Sequence, residues 1–157
     1  MISDSDRYQG SALRQIIVSA GRPVSIGTAD SSGRIDSFSI ERTAFQIKYS
    51  TKRLSPWNFS FTADQLMEIA ALARTFDAVW MVLVCGADGI VSLRAREFLS
   101  VTEPRPGGVC SIRIYRNRNS MYRVSGNARE LPNPKPRGVS ELVSEALDRE
   151  MQKVAAQ

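Results

Sequence analysis

The chain has 157 residues, of which 43% are hydrophobic and 24% are charged, proportions typical of a globular protein rather than a disordered one. It contains no histidine, which excludes Ser-His-Asp and Cys-His catalysis and every metal site built on imidazole. The formal net charge of +5 favours a polyanionic partner.

The first part of the chain predicts a helix followed by a meander of three strands. Ser3 and Asp6 have the spacing of a helix cap, and apolar residues then recur at helical spacing up to Ala20. Gly, Pro and Asp punctuate the stretch that follows. We predict strands over 24–28, 35–40 and 44–50, with turns at 30–33 and 41–43.

The rest of the chain predicts a second helix, a central strand and a basic hairpin. Thr62 and Gln65 form a capping-box pattern ahead of an apolar helical stripe, and Ala78–Cys85 is apolar throughout, as in a strand covered on both faces. Asp88-Gly89 suits a tight hairpin turn, so we assign it no chemistry. Further elements are predicted over 56–61 (strand), 90–93 (strand), 94–101 (helical turns), 110–115 and 122–126 (hairpin arms), and from 140 onward (helix).

These elements predict a mixed α/β fold with the order helix, three-strand meander, helix, central strand, additional hairpins and a C-terminal helix. We expect one domain over 1–157, with a core at 3–101, a basic hairpin and Pro-rich segment at 102–137, and a terminal helix at 138–157. The terminal helix could dock on its own domain or on a second subunit, so a homodimer stays open.

No export signal or membrane-spanning run is visible, and we therefore expect a cytoplasmic protein without a membrane partner. Both cysteines, Cys85 and Cys110, lie in apolar stretches. We expect them to be buried and reduced rather than to form a disulfide or a metal site.

Three polar residues fall on the predicted second and third strands. If Ile40 pairs with Ala44, Asp36 lies across from Lys48, and both project from the same face as Gln46. A shift of one residue in this register would send Asp36 to the opposite face.

Asp36 and the tripeptide Gln46-Ile47-Lys48, on this order of elements, resemble the restriction-endonuclease-like, or PD-(D/E)XK, nuclease superfamily. The resemblance implies that Asp36 and Gln46 hold a divalent metal such as Mg²⁺, and that Lys48 positions the attacking water. Gln46 departs from the family pattern, which has Asp or Glu there, and this lowers the negative charge of the site. The structural alternative is that Asp36 only begins a strand and that Lys48 pairs with it or lies on a solvated face.

Basic residues and aromatic rings occur together in two places, as on nucleic-acid-binding surfaces. Between Arg105 and Arg137, eight basic residues accompany a single acid, Glu130. The candidate nucleic-acid contacts are Lys52, Arg53, Trp57, Arg113, Arg116, Arg118 and Arg123. We place Phe59 and Phe61 in the core, leave Trp57 open between core and surface, and keep a merely solvated edge hairpin as the alternative for the arginines.

The sequence therefore favours a nucleic-acid-binding protein, and among such proteins a Mg²⁺-dependent endonuclease acting on DNA more readily than RNA. The alternative is a non-catalytic module that binds nucleic acid or an acidic protein through a degenerate nuclease-like site. A regulatory protein whose basic hairpin meets another protein is a third possibility.

Overall fold

The fold has the mixed α/β class that the sequence predicts. The computed structural model describes residues 1–29 and 35–156, so the predicted turn at 30–33 lies outside the described residues. The elements are α1 (Asp4–Ala20), β1 (Ile26–Thr28), β2 (Ser37–Ile40), β3 (Thr43–Ser50), β4 (Trp57–Phe61), α2 (Ala63–Thr75), β5 (Ala78–Cys85), β6 (Gly89–Arg94), α3 (Ala95–Val101), β7 (Cys110–Tyr115), β8 (Arg123–Gly126) and α4 (Ser140–Ala155).

Five strands form the larger sheet in the order β1-β2-β3-β5-β6. Strands β1, β2 and β3 are antiparallel neighbours, which confirms the predicted meander. Strand β5 pairs in parallel with β3 because α2 carries the chain back across the sheet between them. The apolar run of β5 is buried along nearly its whole length, as predicted for a central strand.

The smaller sheet has the order β4-β7-β8, and its β7–β8 pair confirms the predicted hairpin. Strand β4 alternates buried and exposed residues, so Phe59 and Phe61 face the core as predicted. The same alternation places Arg113 and Tyr115 on the opposite face of β7 from its buried residues.

The two faces of the larger sheet are covered by different elements. Residues Trp80, Val82 and Val84 of β5 pack with α1 and α4, whereas Met81 and Leu83 pack with α2, α3 and the smaller sheet. The inner residues of α4 are Leu142, Val143 and Ala146, all buried in the first of these clusters. Of the two docking options for this helix, the structure therefore shows the intramolecular one.

The predicted helix starts are present. Ser3 and Asp6 form a capping box at α1, and Thr62 and Gln65 form one at α2. Such boxes satisfy backbone N–H groups that the first turn of a helix leaves without partners. The start of α2 also determines which side chains of this helix face β3.

The predicted register between β2 and β3 is wrong by one residue. The turn contains only Glu41 and Arg42, with Glu41 at a φ of 53°, so Ile40 pairs with Thr43 instead of Ala44. Consequently Ser37, and not Phe38, lies across from Gln46. The longer turn in the prediction came from counting Thr43 with the turn, although its side chain is buried in the strand.

The explanation of the β5–β6 turn by Asp88-Gly89 is also wrong. The left-handed residue of this turn is Gly86, at a φ of 54°, and a Cβ there would collide with the carbonyl oxygen of Lys52. Asp88 instead directs its carboxylate to the side chains of Arg116 and Tyr122. Its role is in tertiary packing rather than in turn geometry.

Both cysteines are free and buried, as predicted. Burial raises the pKa of the Cys85 thiol far above its usual range and also raises that of Cys110. Among residues 1–29 and 35–156, no helix is both long and apolar enough to cross a membrane.

Candidate nuclease-like site

Asp36 and Lys48 line the same cavity, which lies where β2 begins and β3 ends. The cavity has a volume of about 370 Å³, and its other lining residues are Ser5, Gln9, Ile35, Ile47 and Tyr49. Tyr49 stacks on Tyr8 of α1, with ring centroids 5.0 Å apart, so this helix is held against the end of β3. We refer to this space as the Asp36–Lys48 cavity.

The position of Asp36 in this cavity does not follow from the predicted β2–β3 register. Its backbone carbonyl accepts a hydrogen bond of 2.9 Å from the Ile47 N–H, so strict strand alternation would turn its side chain away from Gln46. Asp36, however, precedes β2, and alternation does not fix its side chain. Its Oδ1 lies 3.4 Å from the hydroxyl of Ser37, the residue that does face Gln46.

Lys48 is held by contacts from two neighbouring elements. Its Nζ donates hydrogen bonds to the carbonyl oxygen of Ser60 in β4 and, at 3.1 Å, to Oε1 of Gln65 in α2. The ammonium also lies 4.2 Å from the ring centroid of Phe61, a cation–π distance. These contacts fix the Lys48 ammonium beside β4 and the first turn of α2.

Burial lowers the pKa of the Lys48 ammonium, and the negative charge of Asp36 acts in the opposite direction. The two side chains are therefore close enough to interact electrostatically. The structure brings Asp36 and Lys48 together even though they are not cross-strand partners.

Gln46 is buried, with 1% of its surface exposed, and lies across from Ser37 of β2. Neither its Oε1 nor its Nε2 has a hydrogen-bond partner among the described residues. An unpaired buried amide is costly, about 1–3 kcal/mol, and such a group calls for an explanation such as a bound ion or water. Oxygen ligands are what Mg²⁺ prefers, and the Gln46 amide could supply one. Gln46 does not, however, belong to the residues that line the Asp36–Lys48 cavity.

Glu68 is a further carboxylate at this site, and the sequence analysis missed it. Ser37 Oγ donates to Glu68 Oε1 at 3.0 Å, which links α2 directly to β2 beside Gln46. A sequence signal was available: the capping box places Gln65 in the first turn, and Glu68 is one turn further along the same face. No group of three or more His, Cys, Asp or Glu side chains suited to a metal occurs in the part of the chain that the structure describes.

The predicted nucleic-acid contacts divide into exposed and engaged side chains. The exposed ones are Lys52, Arg53, Arg113 and Arg118. Arg123 is half exposed and pairs with Glu130 at 2.8 Å. Arg53 and Arg118 line a second cavity, of about 220 Å³, together with Ser55 and Asn117.

Two predicted nucleic-acid contacts are held by other residues of the protein, and one of them, Trp57, is buried. Trp57 is 2% exposed and donates its indole N–H to the Lys52 carbonyl at 2.9 Å, so its ring is not available for stacking on a base. Arg116 is bound through two 2.6 Å hydrogen bonds to Asp88. The sequence does not distinguish these two from their neighbours, because Trp57 packs against Tyr122 and Arg116 binds Asp88, both far away in the chain.

No protein-family model and no curated protein matches the chain. Among solved structures, it is similar to Hjc, a Holliday junction resolvase from the archaeal hyperthermophile Archaeoglobus fulgidus, with 13% sequence identity. The match covers 69% of this chain and 83% of that one, with a TM-score of 0.47. This similarity is too low to transfer a residue role or a substrate.

Proposed function

We propose that this protein is a metal-dependent phosphodiesterase that cleaves DNA, with Asp36, Gln46 and Lys48 at its active site. The observation that supports the proposal is the closeness of the Asp36 carboxylate and the Lys48 ammonium, together with the buried, unpaired amide of Gln46 two residues before Lys48 on β3. Hydrolysis of a phosphodiester needs such a combination of cation ligands and positive charge.

The side-chain oxygens of Asp36 and Gln46 would hold a divalent cation such as Mg²⁺. When bound, such a cation supplies Lewis-acid stabilisation of the phosphate and lowers the pKa of a water molecule. The unpaired state of the Gln46 amide supports this assignment, because a ligand role accounts for a group that is otherwise costly to bury.

Lys48 positions the attacking water and offsets the negative charge that develops on the phosphate. An ammonium has three N–H donors, and within the described residues two of them go to Ser60 and Gln65, which leaves one for a water or phosphate oxygen. Because those two contacts and the ring of Phe61 fix the side chain, its charge is already placed before substrate arrives.

The DNA backbone would be held by the exposed basic residues Lys52, Arg53, Arg113 and Arg118. Such contacts recognise phosphates and give binding that weakens steeply as salt rises. DNA is favoured over RNA only through the resemblance noted in the sequence, and both should be offered as substrates.

A non-catalytic binding module is the second candidate, and the neutral Gln46 is the observation that favours it. Among the three predicted site residues only Asp36 and Lys48 carry charge, and their charges are opposite, so these three residues alone would hold a divalent cation weakly. The same exposed basic residues would then bind nucleic acid, or an acidic protein, without cleavage.

The experiment that separates these candidates measures metal binding and cleavage on the same preparations. Mg²⁺ and Mn²⁺ are titrated by calorimetry into the wild type, Asp36→Asn and Lys48→Ala, and plasmid, single-stranded DNA and RNA are then incubated with each. Glu41→Gln is the matched control, because Glu41 is an exposed carboxylate at the turn between the same two strands.

The nuclease proposal expects metal uptake that Asp36→Asn abolishes, and cleavage that both site variants abolish while Glu41→Gln retains it. A folded wild type that binds no metal and cleaves nothing, yet retards DNA in a salt-dependent manner, would establish the binding module instead. Retention of cleavage by Lys48→Ala would contradict the role given to that lysine.

A further inference from the structure

We propose that the cavity of about 220 Å³ beside Arg53 and Arg118 binds the terminal phosphate of a nucleic-acid strand. The protein would then prefer strands with a phosphorylated end over strands that end in hydroxyls. This inference rests on the proposed function only in that the protein binds nucleic acid, and it requires neither a metal nor cleavage. We call this space the Arg53–Arg118 cavity.

The Arg53–Arg118 cavity is positively charged. Its lining includes three arginines, Arg53, Arg116 and Arg118, and one carboxylate, Asp88. Three positive charges and one negative charge leave a net charge of +2. Asp88 is paired with Arg116, whereas Arg53 and Arg118 are exposed and have no side-chain partner within the described part of the chain. A phosphomonoester carries a charge of about −1.5 to −2 near neutral pH, which matches this balance better than the single charge of a phosphodiester.

Arg116 is a donor that the protein holds in place. Its Nε and Nη2 each donate to a carboxylate oxygen of Asp88 at 2.6 Å, and its guanidinium carbon lies 5.3 Å from the ring centroid of Tyr122. Its Nη1 donates to the Ser120 carbonyl at 3.4 Å. A guanidinium has five N–H groups, so two are left without an acceptor among the described residues. Pairing with Asp88 therefore orients this guanidinium without using all of its donors.

Ser55 adds a neutral donor to the same cavity. Its Oγ accepts the backbone N–H of Arg116 at 3.2 Å, which joins the two chain segments that line the cavity. A hydroxyl that accepts a hydrogen bond keeps its own hydrogen for donation. Together with the arginines it forms a set of donors suited to the three terminal oxygens of a phosphomonoester, which bind arginine by charge-assisted hydrogen bonds.

Buried contacts fix the segment that carries Arg53. The Trp57 indole N–H donates to the Lys52 carbonyl at 2.9 Å. The same carbonyl lies so close to Gly86 that a Cβ there would collide with it. Because this backbone is held from two sides, the cavity is formed before a ligand arrives, which lowers the entropy cost of binding. The burial of Trp57 therefore shapes the cavity instead of supplying a ring for base stacking.

The Arg53–Arg118 cavity is close in the chain to the Asp36–Lys48 cavity. Lys48 is near the end of β3, and the segment that carries Arg53 follows this strand directly. The Cα atoms of Lys48 and Arg53 are at most about 18 Å apart, because five extended residues span no more than about 3.6 Å each. Successive phosphates of a duplex strand rise by about 3.4 Å. A strand held by its terminal phosphate would therefore have its first few phosphodiesters near the Asp36–Lys48 cavity.

The test is fluorescence anisotropy with one oligonucleotide sequence in three forms, with a 5′-phosphate, a 3′-phosphate or hydroxyls at both ends. The fluorophore is attached to an internal base, and EDTA is present throughout, so neither metal binding nor cleavage enters the measurement. We expect the wild type to bind one phosphorylated form at least about tenfold more tightly than the hydroxyl form, the scale of one hydrogen bond to a charged group.

Variants assign this preference to the cavity. Arg53→Ala and Arg118→Ala should each lower the ratio of the two affinities towards one, and Ser55→Ala should lower it without changing the charge. Arg113→Ala is the matched control, because Arg113 is an exposed arginine of β7 that does not line the cavity. It should weaken the binding of all three forms by the same factor and keep the ratio. Circular dichroism and urea unfolding establish that each variant is folded.

The outcomes separate this inference from the nuclease proposal. Equal affinity of the wild type for the three forms would overturn the inference, as would a preference that survives in both Arg53→Ala and Arg118→Ala. Metal-dependent cleavage without such a preference would leave the nuclease proposal alone in place. A preference in a protein that neither binds metal nor cleaves would support the terminal-phosphate site and remove the enzyme. A wild type that binds none of the three forms would overturn both.

Discussion

Lys48 donates a 3.1 Å hydrogen bond to the side-chain oxygen of Gln65, which also accepts the Thr62 N–H at 2.9 Å and so closes the first turn of α2. One amide oxygen thus belongs both to a helix cap and to the candidate site. The position of the lysine charge and the start of α2 depend on each other.

Gln65→Leu should therefore affect stability and activity together. Loss of the reciprocal cap lowers the free energy of unfolding by about 1–2 kcal/mol, as measured by urea denaturation. Lys48 at the same time loses a partner that fixes its Nζ, so cleavage on the proposed mechanism should fall. Gln65→Glu is the control, because a carboxylate at this position can accept from both Thr62 and Lys48. A Gln65→Leu variant that loses stability but cleaves as the wild type does would show that the helix cap and the position of Lys48 are independent.

Gln46→Met should raise the free energy of unfolding by about 1–3 kcal/mol and abolish metal binding. The reason is that a methionine of similar size removes two buried polar atoms that have no partner within the described residues. Urea denaturation and Mn²⁺ titration measure the two effects.

Thr43→Val is the matched control for that variant. The Thr43 hydroxyl is likewise buried and unpaired among the described residues, but it lies at the opposite end of β3 from the Asp36–Lys48 cavity. The Thr43→Val variant should have a higher free energy of unfolding than the wild type and should bind metal as the wild type does. If Gln46→Met instead destabilises the protein, its amide is satisfied in solution and is not held ready for a ligand.

Local patterns predicted the elements well because their causes are local. Both capping boxes, the apolar run of β5 and the alternation in β4 and β7 are properties of adjacent residues, and each has the structure expected. The β2–β3 register failed because it depended on whether Thr43 belongs to the turn or to the strand. A one-residue difference of that kind reverses every side chain of a strand.

The candidate site was only partly predictable for a related reason. The sequence places Asp36, Gln46 and Lys48 within a short span, so they can be recognised together. Glu68 lies on α2, and its position depends on how this helix is rotated against the sheet, which the sequence alone does not predict. The burial of Trp57 and the engagement of Arg116 likewise depend on distant partners, Tyr122 and Asp88.

The exposed arginines should carry the salt dependence of DNA binding. Arg53→Ala and Arg118→Ala should each reduce the slope of log affinity against log salt by about 1, the contribution of one phosphate contact. Fluorescence anisotropy on a duplex at several salt concentrations measures this slope. Arg149→Ala, on α4, is the control and should leave the slope unchanged. A slope that no variant alters would place the nucleic-acid surface elsewhere or indicate a protein partner.

The carboxylate of Asp88 should make a pH-dependent contribution to stability. Its hydrogen bonds from Arg116 and Tyr122 hold the pKa of Asp88 below its usual value, in spite of partial burial. A carboxyl whose pKa is lower in the folded state stabilises the protein at pH values above its ordinary pKa, and this contribution is lost as the pH falls through the lowered value. Asp88→Asn should therefore reduce the free energy of unfolding by about 1–3 kcal/mol at neutral pH, since it removes the negative charge that Arg116 binds.

The stability difference between the wild type and Asp88→Asn should depend on pH. Once the pH is below the lowered pKa, Asp88 is protonated in the wild type as well, so the difference between wild type and Asp88→Asn should shrink. Urea denaturation at neutral pH and at the lowest pH at which the wild type remains folded measures the change, with the exposed carboxylate of Asp64 replaced in Asp64→Asn as the control. A difference of the same size at both pH values would mean that Asp88 acts through packing around Gly89 and Tyr122, and not through its charge.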